Sequence, residues 1–281
     1  MKLMRIGDAG KERPALLDAD GTRRDLSGHV DDIAGDVLTP EGLARLADID
    51  PASLPALDDG LRAGPPMARP GKIICIGLNY ADHAEESGLE VPKEPIIFMK
   101  ATSSYSGPTD DIHLAPGSEK TDWEVELGVV IGKRATRIAR DAALDHVAGY
   151  CVVNDVSERA WQIERAGQWV KGKSADTFCP TGPLLVTADE VADPQALGMW
   201  LDVDGKRMQD GSTMTMVFGV SEVVAYLSQF MTLEPGDLIC TGTPPGVGMG
   251  QKPSPVYLQG GEIVSLGIEG LGEQRCQVVR V

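Results

Sequence analysis

Short apolar runs bounded by Gly, Pro and Asp recur along most of this chain, and few stretches carry the 3.6-residue period of a helix. Strands are predicted over 72–77, 95–100, 124–131, 149–154, 183–187, 199–204, 237–241 and 262–268, and helices over 79–87, 156–166 and 219–229. Upstream, Lys2 to Ile6 and Pro14 to Leu17 read as short strands, Asp20-Gly21 as a hairpin turn, and 39–48 as a short helix. The Pro-, Gly-, Ala- and Asp-rich stretch from Pro51 to Pro70 reads as a connection. The pattern therefore predicts a small N-terminal β-rich domain with its linker over 1–70 and a larger β-rich α+β domain over 71–281, not an alternating parallel α/β wheel. No repeat of solenoid period interrupts it.

Charge narrows the partners. A formal net charge of -16 and a pI near 4.6 argue against a nucleic acid or an anionic membrane as partner. An anionic small substrate would need local basic groups or a metal. The five cysteines (Cys75, Cys151, Cys179, Cys240, Cys276) are scattered through apolar runs without CxxC spacing, which predicts reduced core thiols rather than zinc or a redox pair. No signal-peptide core and no apolar run of bilayer length are seen, so a cytoplasmic protein is expected.

Within the strand-like segment Trp123 to Ile131, Glu124 and Glu126 stand two positions apart and so share one face, while Val125 and Leu127 take the other. Two like charges on one face call for a cation or for water. The run Gly149 to Asp155 is a second apolar strand ending in an acid, so Asp155 offers a third carboxylate; with Glu158 three residues on, it equally fits a helix cap. Three carboxylates would suit Mg²⁺, Mn²⁺ or Ca²⁺, and the lack of nearby Cys and His speaks against zinc.

Three further segments carry candidate chemistry. In Ile76 to Gly88, His83 and Glu86 fall at i and i+3 of a short helix, where a carboxylate can orient an imidazole as a general base or simply form a solvated pair. Gly167 to Ser174 matches G-x-x-x-x-G-K-[ST], yet it follows a helical segment instead of a strand, so a P-loop-like nucleotide binder is only a distant alternative. Lys173 within it remains a candidate cation for an anionic ligand. The loop Thr241-Gly242-Thr243-Pro244-Pro245-Gly246 follows a strand and can present backbone N–H groups and hydroxyls to a ligand, or merely turn tightly.

Taken in order, NYADHAEE, DWEVELGVVIG, VVNDVSERAWQ, KGKSADTFCPTGP and TGTPPGVG resemble the fumarylacetoacetate hydrolase family over residues 70 to 281. The likeness is strongest to bacterial members acting on acylpyruvates and 2,4-diketo-3-deoxy sugar acids; similar sequences are also called ureidoglycolate lyase. The resemblance implies a mixed β-sandwich or barrel-like large domain, a homodimer, and one divalent cation per subunit, usually Mg²⁺ or Mn²⁺, with Ca²⁺ also fitting. It assigns Glu124, Glu126 and Asp155 as metal ligands, His83 and Glu86 as a water-activating dyad, and Lys173 as the active-site lysine. Arg159, Gln162, Gly242 and Thr243 match substrate-binding positions, and Lys100 and Ser103 are further lining candidates.

The implied activity is hydrolysis of a C–C bond in a small anionic 2,4-dioxo acid, giving pyruvate and a carboxylic acid. A lyase, decarboxylase or isomerase of the same family uses related enolate chemistry. A non-catalytic metal-binding or scaffold protein would need the acids but not His83.

Overall fold

The computed structural model of the chain describes residues 1–82 and 90–281. Its strands, in chain order, are β1 (Lys2–Ile6), β2 (Arg13–Leu17), β3 (Arg23–Asp25), β4 (Ile73–Gly77), β5 (Ile96–Lys100), β6 (Tyr105–Ser106), β7 (Ile112–Leu114), β8 (Thr121–Asp122) and β9 (Val125–Ile131). They continue with β10 (Val147–Asn154), β11 (Ser157–Glu158), β12 (Cys179–Pro180), β13 (Leu185–Thr187), β14 (Gly198–Val203), β15 (Lys206–Ser212), β16 (Leu238–Cys240), β17 (Ile263–Ile268) and β18 (Gly272–Arg280). Helices Pro40–Ala47, Arg159–Ile163, Val170–Lys173 and Val220–Phe230 are among those that interrupt them. The result is the β-rich α+β class that the apolar pattern predicts.

Two sheets dominate. Nine strands join in the order β3-β2-β1-β13-β10-β9-β16-β4-β5, and five in the order β15-β14-β17-β18-β7. One apolar core lies on the Leu127, Val129 and Val152 face of the large sheet and takes in Leu201, Val264 and Leu266 of the smaller one. The opposite face packs Cys75, Val130, Cys151 and Cys240 against Leu3, Leu26, Leu38 and Leu46 of the N-terminal region. The large sheet crosses the boundary expected near residue 70, because β1 pairs antiparallel with β13 through Lys2–Val186 and Leu3–Leu185. Residues 2–25 are thus extra strands of that sheet.

Central strands β9 and β10 are buried along their whole length, which explains their near-continuous Val, Ile and Leu content. Their antiparallel register sets Glu126 opposite Val153 and Val125 opposite Asn154. One row across four strands reads Cys75, Cys240, Gly128, Cys151. Gly128 has to lack a side chain, since a Cβ there would lie 2.7 Å from Cys151 Sγ. All five cysteines are free and buried. The acidic end of β9 is therefore floored by thiol and methyl groups, a poor medium for unpaired charge.

Candidate active site

Alternation along β9 places Glu124 and Glu126 on the cysteine-bearing face of the large sheet, and the adjacent β10 ends one residue before Asp155. Carboxylate oxygens of Glu124, Glu126 and Asp155 all lie within 4.8 Å of one another, and all three residues are buried. Backbone bonds lock the strand ends together: Asp155 N–H donates to Glu124 O at 2.9 Å, and Glu124 N–H donates to Asn154 Oδ1 at 3.1 Å. Asp155 does not cap the following helix. That role belongs to Glu158, whose side chain accepts from Ala160 N–H.

Among the described residues, three cations face this cluster. Lys173 Nζ donates to Glu124 Oε2 and to Asp155 Oδ2, each at 2.7 Å. Lys100 Nζ donates to Asp155 Oδ1 at 2.5 Å and to Val156 O at 3.1 Å. Arg159 reaches Glu124 Oε1 at 2.6 Å, Asp122 Oδ2 at 2.8 Å and Gln162 Oε1 at 3.0 Å. Asp122 also collects the N–H groups of Gly248 and Met249, so it anchors both the guanidinium and the loop beside it. Burial alone would pull the Lys173 ammonium down, but Asp155 and Glu124 outweigh it and hold it above the ordinary lysine range.

Glu126 is different. Its carboxylate accepts the Gly242 N–H at 2.9 Å, and among the described residues no lysine or arginine pairs with it. Burial, then the neighbouring Asp155 and Glu124 charges, push its carboxyl well above the usual range. A buried acid with no cation of its own, inside an all-oxygen triad, suits a hard divalent ion better than zinc. Gly242 makes this approach feasible: its φ is +96°, and a Cβ would lie 2.9 Å from Asn79 Cβ.

Glu124 and Glu126 of the triad open into a cavity of about 100 Å³. Glu124, Glu126, Arg159, Gln162, Lys173, Gly242 and Thr243 line its polar end. Leu78, Phe98, Ile163, Trp169 and Met249 are among the residues of its apolar wall. Trp169 packs edge-on against Phe98, with ring centroids 5.3 Å apart, and lies so close over Gly77 that a Cβ there would come within 2.5 Å of the indole. Leu78 takes a left-handed φ of +52°, rare for a branched side chain, at the point where β4 gives way to this wall.

The other sequence candidates fall as follows. Lys100 is not among the lining residues; it lies beneath Asp155, with no exposed side-chain surface. Ser103 is exposed on the turn Thr102–Ser104, away from the cavity lining. His83 and Glu86 lie outside the described residues. The segment Gly167 to Ser174 is a turn and the short helix Val170–Lys173, following helix Arg159–Ile163 with no strand leading in. Its lysine is committed to Glu124 and Asp155, which leaves the phosphate-loop pattern without its usual geometry.

Three participants escape the sequence motifs. Asp122 extends the Glu124–Glu126 alternation by one more step, a signal visible in Asp122-Trp123-Glu124-Val125-Glu126. Gln209 arrives from β15 and touches Val125, Thr243 and Pro244. Trp169 sits inside the phosphate-loop-like pattern yet serves the apolar wall.

Known proteins resemble this chain over its length. The profile described as fumarylacetoacetate (FAA) hydrolase C-terminal matches residues 72–279. A hydrolase-named protein from Burkholderia multivorans is 64% identical over 274 residues, covering 98% of this chain and 97% of its own. The solved structure of a fumarylacetoacetate hydrolase from Exiguobacterium antarcticum superposes with a TM-score of 0.88 at 38% identity, covering 100% of both chains. A 5-carboxymethyl-2-hydroxymuconate delta-isomerase from Mycobacterium smegmatis reaches 0.79 at 30% identity, over 100% of this chain and 99% of that one. A profile spanning most of the chain and relatives aligned end to end leave one conclusion: this chain belongs to the fumarylacetoacetate hydrolase family.

Proposed function

We propose that the chain is a divalent-metal-dependent hydrolase that cleaves a C–C bond of a 2,4-dioxo acid of the acylpyruvate type, releasing pyruvate and a carboxylic acid. The observation that carries this reading is Glu126, a buried carboxylate that lacks a basic partner among the described residues and stands within 4.8 Å of two other acids. Glu124, Glu126 and Asp155 would hold Mg²⁺ or Mn²⁺. Bound there, the ion supplies Lewis-acid polarisation to a chelating dioxo group.

The chain's own groups supply the rest. Lys173, kept protonated by Asp155 and Glu124, places positive charge on the cavity wall where an oxyanion develops. Arg159 and Gln162, joined to each other, present a donor fork at the same end. Water adds to the distal carbonyl, the bond between C3 and C4 breaks, and C3 of the departing pyruvate takes up a proton. The His83–Glu86 dyad, assigned by family resemblance, takes the proton from that water. The apolar wall of Phe98 and Trp169 faces the acyl end and limits the access of bulk water. A homodimer belongs to the same reading, with light scattering as its test.

An isomerase reading shares the enolate chemistry but moves a proton without adding water. The two separate in ¹⁸O-water. With Mg²⁺ or Mn²⁺ present, an acylpyruvate panel should yield pyruvate and an acid whose carboxylate carries ¹⁸O from the water, and EDTA should stop both. A panel untouched with either metal, alongside mass-neutral conversion of a 2-hydroxymuconate-type diene, would replace hydrolysis by isomerisation.

A further inference from the structure

β16 leaves the large sheet after Cys240, so β9 loses its neighbour on that side just where its two glutamates begin. The last backbone-to-backbone bond is from Thr241, whose N–H and hydroxyl both reach Leu127 O. Val125, between Glu124 and Glu126, therefore meets side chains where a strand would have been. Gln209 Oε1 accepts the Val125 N–H at 2.9 Å, and Thr243 Oγ1 donates to Val125 O at 2.8 Å. Gln209 Nε2 closes the ring by donating to Thr243 Oγ1 at 2.8 Å, with Pro244 O as a further acceptor at 2.8 Å.

Gln209 is the single buried residue of β15 and is wholly inaccessible. The hairpin that carries it presses on the 243–246 loop. A Cβ on Gly246 would lie 1.9 Å from Met208 O, and one on Gly211 2.5 Å from Pro244 Cβ. Only an amide serves all of these positions, since its oxygen must accept from Val125 while its NH₂ donates twice. The ring also commits the one proton of the Thr243 hydroxyl to Val125 O. This fixes the orientation that Thr243 shows to the cavity.

We propose that Gln209 is a positioning residue of the active site: through Val125 it sets the placement of Glu124 and Glu126, and through Thr243 it sets the substrate-carboxylate end. The inference rests on the metal and substrate assignment made above, and its two arms can be separated. Gln209→Met removes the acceptor and both donors at nearly constant volume. Gln209→Glu keeps an acceptor for Val125 N–H and removes the donors to Thr243 and Pro244.

The test is calorimetric titration of the full-length, EDTA-stripped protein with Mn²⁺ alone, together with kcat and KM at saturating Mn²⁺ on an acylpyruvate and a melting curve for each variant. Q209M should weaken the Mn²⁺ Kd about 10–100-fold, the usual cost of losing an outer-shell partner, and should raise KM. Q209E should bind Mn²⁺ as tightly as the wild type while its KM rises about tenfold, the order expected for losing the neutral hydrogen bonds that hold Thr243 and Pro244 in place. Should Q209M fail to fold, the Q209E split of KM from Mn²⁺ affinity decides. Wild-type Kd and KM in a folded Q209M, or Mn²⁺ affinity and KM both unchanged in Q209E, would overturn the inference. A wild-type protein that gives no saturable Mn²⁺ binding would instead overturn the metal assignment itself.

Discussion

Lys100→Met removes an ammonium that shows no surface to solvent and holds Asp155 Oδ1 at 2.5 Å. Methionine fills similar volume, so the loss is electrostatic: Asp155 keeps only Lys173 and its buried charge is less well compensated. Deleting one partner of a buried ion pair costs roughly 3–5 kcal/mol, and the surviving Lys173 bond argues for the lower end, about 3 kcal/mol. For a chain of this size that is a drop of about 6 °C in melting temperature, at roughly 2 °C per kcal/mol. Because Lys100 does not line the cavity, its removal should act on the metal site and leave the chemistry intact. With one buried cation fewer beside Asp155, the Mn²⁺ Kd should tighten, while kcat at saturating Mn²⁺ stays near the wild-type value. Lys173→Met gives the contrast, since its ammonium does face the cavity, and kcat should fall even at saturating metal. Differential scanning calorimetry, Mn²⁺ titration and metal-dependent kinetics read these outcomes. If K100M lowers kcat at saturating Mn²⁺ as far as K173M does, Lys100 acts on substrate and the positional argument is wrong.

Glu126→Gln should abolish metal binding yet stabilise the metal-free fold. A carboxyl raised in the folded state contributes stability that is complete below its unfolded value of 4.5 and is lost as pH rises through the folded value. The melting-temperature advantage of metal-free E126Q should thus widen as pH rises above 4.5, and the wild-type Mn²⁺ affinity should fall as pH is lowered, because binding displaces that proton; a pH-independent gap would contradict the burial argument. Asp122→Asn leaves Arg159 without one of its two carboxylates and disturbs the Gly248 and Met249 amides. We expect kcat/KM to drop by about 2–5 kcal/mol of transition-state binding, with steady-state kinetics as the check and an unchanged value as the refutation. His83→Ala should lower kcat about 10²–10⁴-fold with Mn²⁺ affinity intact; joint loss of both would make it a metal ligand rather than a base.

Legibility in the sequence followed chain distance and alternation. Glu124 and Glu126 declare a shared face by spacing alone, and β9 against β10 brings Asp155 to them without a long-range guess. Gln209 is harder, because β15 buries only that amide and so lacks an apolar stripe. Its available signal is Asp204-Gly205, a two-residue hairpin turn whose φ angles are +50° and +75°. β18 hides for a related reason: its buried face opens with Gln274 before Cys276 and Val278. The pairing of β1 with β13 joins residues more than 180 positions apart. No local pattern specifies that contact, so the N-terminal strands read as a separate unit.

The charge balance explains why the triad suits one anion at a time. Among the described residues, Asp122, Glu124, Glu126 and Asp155 stand against Arg159, Lys173 and Lys100, four acids to three bases, which leaves one net negative charge buried beside thiols and methyl groups. Such an imbalance is costly in this medium, and burial with the Asp155 and Glu124 charges accordingly pushes the Glu126 carboxyl well above the usual range. A divalent cation inverts it, leaving one net positive charge. A single carboxylate entering the polar end would then bring the site to neutrality, and in the proposed reaction the negative charge developing on C–C cleavage would face the Lys173 ammonium rather than solvent. A second carboxylate at the same end would restore the excess. The apolar wall of Leu78, Phe98, Ile163, Trp169 and Met249 gives it no compensating charge, so the site's own balance favours a substrate whose reacting end is a monoanion.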